Sequence, residues 1–320
     1  MVADAHVLDA RADAPENRAV ADGTAVVGLV ASVPRKEPCG VAAAESAHDL
    51  VGDAADELPF VVRIDCNRAK SDRNCFFAGG QVDGDGLASC AEIANFCHYT
   101  VRDVTFLNGL KSGLHVVGGC ELFANNLYFI CNLPGLAGNV GFLTYIGDSH
   151  FTDMVVVDYT VGVRDLKWSN RYTRCHVWGG PVKKAGTDEP EYLPNSIAFD
   201  LAGADCLLDD CYADTAMIGF RVRRDARIFN CGYFNNWVFK MDGPEVFVHE
   251  GGSLIVTGGR FSKNSPHATL YSRGEKAKRL IWRDNQPLNF TTEEMKGLNE
   301  ELQKQGAADK AALNDAKLAG

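Results

Sequence analysis

The chain has 320 residues, of which 46% are hydrophobic, so it is long enough to bury a large core. Its formal net charge is −10 and its acidic residues are scattered. This charge disfavours nucleic acid as a partner, because phosphate binding needs a basic stripe, and it also disfavours an anionic membrane surface. No stretch approaches the about 18 consecutive apolar residues of a membrane-spanning helix.

Residues 1–57 are rich in Ala, Asp and Val and contain one coherent apolar stretch, at 25–33. Two interpretations stay open for this segment: a cap over the end of the following domain, or a poorly ordered region. The N-terminus lacks a basic region followed by an apolar run. That absence argues against a signal peptide and favours a cytoplasmic location over secretion.

A short sequence pattern is repeated between about residue 72 and residue 285. Each copy opens on a small or polar residue, continues as two short apolar strands, and in most cases reaches a Gly or Ser before another strand. The copies begin at Cys75, Cys97, Cys120, Ser149, Asn170, Cys206, Ala226 and Ser253. Repeats of this length, with period-two alternation and many Val, Ile, Phe and Tyr residues, are typical of stacked strands. The pattern predicts an all-β fold, a right-handed single-stranded parallel β-helix of about nine coils over residues 58–288.

The cysteines favour reduced thiols rather than disulfides. Their number, 11, is odd, and no signal peptide is predicted. Two columns of the repeat contain Cys75, Cys97 and Cys120, and Cys175, Cys211 and Cys231. Such columns predict inward stacks in which thiols pack as small apolar groups. No CxxC pair and no Cys–His cluster at ligand spacing is found, so neither a metal nor a cofactor is predicted.

One turn near the start of the repeat carries a family resemblance. Its glycine-rich sequence is Gly79, Gly80, Gln81, Val82, Asp83, Gly84, Asp85 and Gly86. This resembles the Gly-Gly-x-h-Asp-Gly-x-Gly turn (h being apolar) of the pectate-lyase-like β-helix superfamily, which includes polygalacturonases and pectate lyases. The resemblance covers about residues 72–285 at the level of the coil pattern. It implies a parallel β-helix and, by extension, carbohydrate processing. Of the polygalacturonase motifs, only a paired Asp is present, at Asp209 and Asp210.

Two insertions, at 132–139 and 181–195, interrupt the repeat at the same phase. Insertions at one phase lie on one face of a solenoid, so they are predicted to flank a groove. After residue 288 the strand pattern stops. Thr291 with Glu294 three residues later forms a helix-start signature. The segment 289–320 is therefore predicted to be a helical tail, either a cap or a surface for self-association.

A first candidate site follows from the strands that begin with Gly or Ser. Because neighbours on a strand point to opposite faces, His115, Arg164, Asp200 and Arg221 are predicted to form one outward row. Adjacent coils lie about 4.8 Å apart, so Asp200 would have a guanidinium group on each side. An ionised carboxylate between two arginines suits a base or a site for an acidic sugar. A salt-bridge ladder that stabilises the coil stack is the alternative.

A second candidate site lies on the third strand of each coil. The repeat places His176 beside Tyr212 and Trp178 beside Asp214, with Asp210 at the start of the strand. Aromatic faces beside carboxylates are typical of sugar-binding sites, and His titrates in the range that suits acid–base catalysis. Packing beneath the insertions or at a subunit interface is the alternative.

The resemblance and the two rows together predict a carbohydrate-active enzyme (a glycoside hydrolase, a polysaccharide lyase or a related transferase) that binds an oligosaccharide or polysaccharide. The candidate catalytic residues are Asp200, Arg164, Arg221, His176 and Asp210. The candidate substrate-binding residues are His115, Tyr145, Trp178, Glu191, Tyr192, Tyr212 and Asp214. In a hydrolase two carboxylates would act together, whereas in a lyase Asp200 or His176 would abstract a proton. The alternative is a non-catalytic adhesion or assembly module, such as a phage-tail-like homotrimer.

Overall fold

The computed structural model describes residues 60–66, 75–133, 138–179, 182–183, 190–191, 195–235 and 241–318. These residues form a right-handed parallel β-helix followed by a helix, which confirms the predicted fold class. The cap or poorly ordered segment predicted for residues 1–57 lies outside the described residues.

Each coil contains a first, a second and a third strand, and strands of successive coils pair in parallel. The first strands are β1 (Phe60–Asp65), β4 (Ser89–Ala94), β6 (Ser112–Val117), β8 (Val140–Thr144), β10 (Val161–Asp165), β15 (Ile197–Leu201), β18 (Ile218–Val222) and the beginnings of β21 (Glu245–Thr257) and β23 (Thr269–Arg283). In the described part of the chain these nine strands stack, in agreement with the predicted number of coils.

The second and third strands complete the coils. The second strands are β2 (Cys75–Ala78), the beginnings of β5 (Cys97–Leu107), β7 (Cys120–Ile130) and β9 (His150–Val157), then β11 (Arg171–Thr173), β16 (Cys206–Asp209), β19 (Ala226–Phe229) and the ends of β21 and β23. The third strands are β3 (Gln81–Asp83), the ends of β5, β7 and β9, then β12 (His176–Trp178), β17 (Tyr212–Asp214), β20 (Gly232–Phe234), β22 (Arg260–Ser262) and β24 (Gln286–Leu288). A short antiparallel pair, β13 (Val182–Lys183) and β14 (Pro190–Glu191), lies within the longer insertion.

The core consists of inward columns in which like residues stack along the helix axis. Phe199, Phe220 and Phe247 lie on consecutive first strands and are fully buried. Their ring centroids are 5.5 and 5.1 Å apart. Burial of each such side chain contributes about 1.5–3 kcal/mol, so one column supplies a large part of the driving force that holds neighbouring coils together.

The two predicted cysteine columns have different outcomes. One inward column contains Cys175, Cys211 and Cys231, each 1% exposed, as predicted. The other prediction is wrong, because Cys97 pairs with Cys120 and both are half-buried, whereas Cys75 pairs with Tyr99. The pairing of neighbouring strands aligns their buried residues and not the first residue of each repeat. Phe77 therefore pairs with Val101, and Cys75 does not reach the column of Cys97.

A single residue in the left-handed region turns most coils from the second to the third strand. These residues are Asp103, Asn126, Asp153, Arg174, Asp210, Asn230, Gly258 and Asp284. Asn and Asp tolerate this conformation because their short side chains form local hydrogen bonds. Asn126 Nδ2 donates to Asp103 Oδ1 at 2.8 Å, one coil away. Asp210 therefore lies at this exposed corner and not on the third strand.

The connections from third to first strands alternate in length. Two of them, 158–160 and 215–217, contain three residues, whereas 131–139, 179–196 and 235–244 contain nine, eighteen and ten. The predicted insertions therefore share one phase of the coil. Each three-residue turn therefore lies between two longer connections in the order of the coils.

The helix α1 (Lys296–Leu318) follows the last coil. One turn before it, Thr291 N donates to Glu294 Oε2 at 2.7 Å and Glu294 N donates to Thr291 Oγ1 at 3.3 Å, which is the predicted capping box. Leu298 is buried against the core, and Arg273 on β23 pairs with Glu301 at 2.7 Å. Within the described residues, no helix has the length and apolar character needed to span a bilayer.

Candidate functional site

The first-strand row has the predicted register. Arg164 pairs with Asp200 across β10 and β15, and Asp200 pairs with Arg221 across β15 and β18. Arg164 Nε donates to Asp200 Oδ2 at 2.8 Å. The Asp200 side chain is 0% exposed, so it cannot contact a substrate from this conformation. It is suited to positioning the guanidinium groups around it.

The second guanidinium on Asp200 is not the predicted one. Arg223 Nη2 donates to Asp200 Oδ2 at 2.9 Å, and Arg221 instead pairs with Glu250 at 2.6 Å. The difference arises because Arg223, in the bend just after β18, reaches back one coil to Asp200. Glu250 in the next coil then takes up Arg221. The result is a half-exposed network of three guanidinium groups and two carboxylates.

The other end of this face carries a separate cluster. His115 Nδ1 lies 3.0 Å from Glu92 Oε2, and Arg63 Nε lies 2.9 Å from Glu92 Oε1. The hydrogen bond with His115, together with the charge of Arg63, lowers the pKa of Glu92 although burial opposes the shift. Tyr145, 41% exposed, contacts the His115 ring edge-on at 5.5 Å. The candidates His115 and Tyr145 therefore belong to one group.

The third-strand row also has the predicted register. His176 pairs with Tyr212, and Trp178 with Asp214. The His176 and Tyr212 rings lie 4.9 Å apart, and His176 Nε2 lies 3.8 Å from Asp214 Oδ2. Burial, with a smaller contribution from Asp214, raises the pKa of Tyr212 to about 12. Tyr212 therefore stays a neutral hydrogen-bonding group, and His176 and Asp214 form a loosely coupled acid–base pair.

Asp158, in the three-residue turn after β9, is linked to this row through its backbone. Its amide donates to the Trp178 carbonyl at 2.9 Å, which fixes it beside β12. Burial raises the pKa of Asp158 to about 6, against a usual value of 3.8. Desolvation with no compensating charge is the arrangement by which enzymes keep a carboxylic acid protonated near neutral pH.

Three buried polar atoms at this corner have no hydrogen-bond partner among the described residues: Asp158 Oδ1, His176 Nε2 and Trp178 Nε1. Each unpaired buried polar atom costs about 1–3 kcal/mol. Such atoms are rare in native proteins, and perturbed titratable groups accumulate at functional sites. The name acid–base cluster is used below for Asp158, His176, Trp178, Tyr212 and Asp214.

The remaining sequence candidates do not join the acid–base cluster. Asp210 lies at the exposed corner between second and third strands. The backbone of Glu191 forms part of β14, and its side chain, like Tyr192, lies outside the described residues. Arg164, Asp200 and Arg221 lie on the first-strand face, on the other side of the corner that contains the three-residue turns.

Known proteins show little similarity in sequence. No protein-family model matches the chain, and no curated protein matches it significantly. Among solved structures, the endo-xylogalacturonan hydrolase from Aspergillus tubingensis matches with 10% identity and a TM-score of 0.47. The match covers 71% of this chain and 73% of the other. A likeness this low assigns neither a family nor an activity to this protein.

A shallow cavity of about 240 Å³ lies on a different face, against the second strands. It is lined by Asp148, His150, Ser169, Arg171, Asp205, Leu207 and Arg227. Arg227 pairs with Asp205 at 2.5 Å, so part of the charge in this cavity is already neutralised. The cavity lies away from the acid–base cluster and shares none of its residues.

Sequence reasoning missed Asp158, Arg223 and Glu250. Asp158 directly follows a third strand and belongs to a three-residue connection between two much longer ones. That difference in the length of the connections is visible in the sequence and could have pointed to Asp158. Arg223 lies just beyond the end of β18, where the alternation of a strand no longer determines side-chain direction. Glu250 lies at the glycine-containing bend within β21, where the pairing register shifts, and no pattern in the sequence reveals its direction.

Proposed function

We propose that this protein is a carbohydrate-active enzyme that hydrolyses a glycosidic bond at the acid–base cluster. The observation that carries the proposal is a desolvated carboxyl with a pKa of about 6, Asp158, at the same corner as the His176–Asp214 pair. Tyr212 and Trp178, both partly exposed, would contact the apolar face of a bound sugar ring.

Asp158 acts as the general acid in this mechanism. In its protonated form it donates a proton to the glycosidic oxygen while the bond to the leaving group breaks. Asp214 acts as the base, with His176 beside it holding the carboxylate in place. It removes a proton from the water that attacks the anomeric carbon. The products are two shorter sugars with one water added.

The separation of the two carboxylates favours inversion of configuration. Asp158 follows Val157, which pairs with Trp178, and Trp178 pairs with Asp214, so two coil spacings separate the two acids. Two spacings correspond to roughly 9.6 Å of backbone. This is near the about 6.5–9.5 Å of inverting pairs and well above the about 5–5.5 Å of retaining pairs.

The first-strand arginines favour an acidic substrate. Arg164, Arg221 and Arg223 outnumber the carboxylates Asp200 and Glu250 in their network by one charge. Planar guanidinium groups bind carboxylates through paired hydrogen bonds. We therefore propose a uronic-acid-containing oligosaccharide as the substrate, with its carboxylates toward this network and its scissile bond at the acid–base cluster.

Product analysis tests the proposal. The protein is incubated with neutral and uronic-acid oligosaccharides, and the products are measured by mass spectrometry and their anomeric configuration by NMR. Hydrated products with inverted configuration are expected for the uronic acids. Loss of about 10²–10⁴-fold in rate is expected for both Asp158→Asn and Asp214→Asn. Asp210→Asn, at an exposed corner, is the matched control and should keep the rate. Unsaturated products lighter by one water would refute hydrolysis.

A second function has one observation in its favour. The outward residues of the third strands in three successive coils are largely apolar and half-buried: Leu107, Ile130, Val155 and Val157, with Tyr128 43% exposed beside them. An apolar face of this kind fits an assembly module in which identical chains pack side by side. Sedimentation velocity of the protein and of Val155→Lys separates the two: a trimer that Val155→Lys dissociates, together with no turnover, would favour assembly.

A further inference from the structure

Two dipeptides on successive coils bring three metal-binding side chains together, with a histidine beside one of them. Cys97-His98 and Cys120-Glu121 open β5 and β7, and Cys97 pairs with Cys120. The two sulfur atoms lie 3.2 Å apart, and His98 Nδ1 lies 2.5 Å from Glu121 Oε2. The ligand atoms of Cys97, Cys120 and Glu121 all lie within 4.8 Å of one another. This group is named the dithiol cluster.

The backbone explains why sequence spacing did not reveal the dithiol cluster. Neighbouring residues on a regular strand point to opposite faces, so a Cys followed by His or Glu would not share a ligand. His98 and Glu121 have φ values of 59° and 56°, in the left-handed region. This conformation interrupts the alternation at the start of each strand. It turns the Glu121 carboxylate to the side of the sulfurs, where His98 meets it.

The donor set is that of a tetrahedral metal site. Two thiolates and one carboxylate are ligands that zinc takes in proteins, and thiolates exclude hard ions such as magnesium and calcium. His98 contacts the carboxylate as an outer-shell partner, and water would take the fourth tetrahedral position. All four residues are half-buried, so a metal ion can reach them from solvent. We propose that the dithiol cluster binds a single zinc ion and thereby clamps the second and third coils of the β-helix. The proposal does not depend on the proposed hydrolytic function.

The distances fit this site with small adjustments. Tetrahedral coordination at about 2.3 Å per zinc–sulfur bond requires sulfur atoms roughly 3.8 Å apart. The 3.2 Å between Cys97 and Cys120 therefore has to widen by about 0.6 Å, within reach of small changes in side-chain torsion angles. A disulfide would require the two sulfurs to approach to about 2.05 Å.

Other thiols of the described chain are poor competitors. Cys175 and Cys211 are almost fully buried, and burial raises their pKa well above the ordinary value for a thiol, so the thiolate form is strongly disfavoured. The dithiol cluster instead combines partial exposure with an imidazole and a carboxylate. It is therefore expected to titrate first with a thiophilic metal.

Cobalt substitution tests the site directly. Reduced, metal-stripped full-length protein is titrated with Co²⁺, and thiolate-to-cobalt charge-transfer absorption in the near ultraviolet is followed, after which Zn²⁺ is added in competition. One Co²⁺ per chain with tetrahedral visible bands is expected, displaced by one Zn²⁺. Loss of outer-shell partners alone lowers metal affinity about 10–100-fold, so Cys97→Ser and Cys120→Ser should lower it more than 100-fold.

Matched variants keep the test independent of folding. His98→Ala and Glu121→Gln leave both thiols in place and should weaken binding at least tenfold while the circular dichroism spectrum is unchanged. His267 provides the control for His98, because it also pairs with a carboxylate, that of Asp242, at 2.8 Å but does not belong to the dithiol cluster. His267→Ala should bind Co²⁺ like the wild type. Absence of charge-transfer absorption in the reduced wild type, or its persistence in both Ser variants, would overturn the proposal.

Discussion

Asp158→Asn is expected to stabilise this protein at neutral pH, in contrast to most substitutions of buried polar residues. The Asp158 carboxylate is desolvated in the turn between β9 and β10, and its Oδ1 has no hydrogen-bond partner among the described residues. Its pKa is therefore about 6 in the folded protein, against 3.8 ordinarily. Asn removes the charge while preserving the size of the side chain.

The size of the effect follows from linkage. A carboxyl whose folded pKa is raised contributes its full stability below the unfolded pKa, near pH 3.8, and loses that stability as the pH rises through about 6. The folded pKa of about 6 and the ordinary pKa of 3.8 differ by an amount that, at 1.36 kcal/mol per unit, corresponds to about 3 kcal/mol in the free energy of unfolding. Asp158→Asn should therefore gain about 3 kcal/mol over the wild type between about pH 4 and about pH 8.

Urea unfolding at a series of pH values measures this difference. Any pH-independent cost of the amide shifts the difference between the two curves by a constant, so only the slope of that difference against pH is interpreted. Asp210→Asn, which changes an exposed carboxylate in a left-handed turn, is the control and should follow the wild type. A difference between Asp158→Asn and wild type that is flat with pH would show that Asp158 is not desolvated and would remove the basis for its role as an acid.

Further outcomes follow from the same contacts. Hydrolysis should decline as the pH rises through about 6, since Asp158 must be protonated; a rate that rises there would contradict its role as the acid. Asp200→Ala should destabilise the protein by about 3–5 kcal/mol in urea unfolding because it leaves two guanidinium groups without their buried partner, whereas Asp210→Asn, which keeps a residue type that tolerates the left-handed conformation, should change stability by no more than about 0.5 kcal/mol. Phe220→Ala should cost about 3–5 kcal/mol by removing one ring from a continuous stack. Thr291→Ala should cost about 1 kcal/mol through loss of the capping box, and Glu294→Ala should cost more because it also removes the partner of Lys263.

Much of the fold follows from the period-two pattern because side-chain direction on a strand is a local property. The same rule placed Arg164 beside Asp200 and His176 beside Tyr212, which are one coil apart in space but 36 residues apart in the sequence. Stacking makes these pairs predictable: once inward residues are aligned, every outward residue has a fixed neighbour.

The rest could not be predicted because it depends on long side chains and on single backbone torsions. Arg223 reaches Asp200 diagonally and displaces Arg221 from the pairing that register alone implied. Asp158 owes its raised pKa to burial, which no residue pattern encodes. His98 and Glu121 join the dithiol cluster only because both adopt positive φ values, a conformation that His and Glu seldom adopt.

The connections from third to first strands differ in length from coil to coil, yet the coils stack in the same way. The length of a connection can therefore change without loss of the stability of the solenoid. Coil stacking depends on the inward columns, whereas the connection after each third strand only determines how much of the corner is open. Shortening the nine-residue connection before β8 to three residues should therefore leave strand register unchanged, because the inward columns on either side of it are untouched. Natural variation or engineering could thus change the length of this corner's connections one coil at a time, in steps of about 4.8 Å along the helix axis.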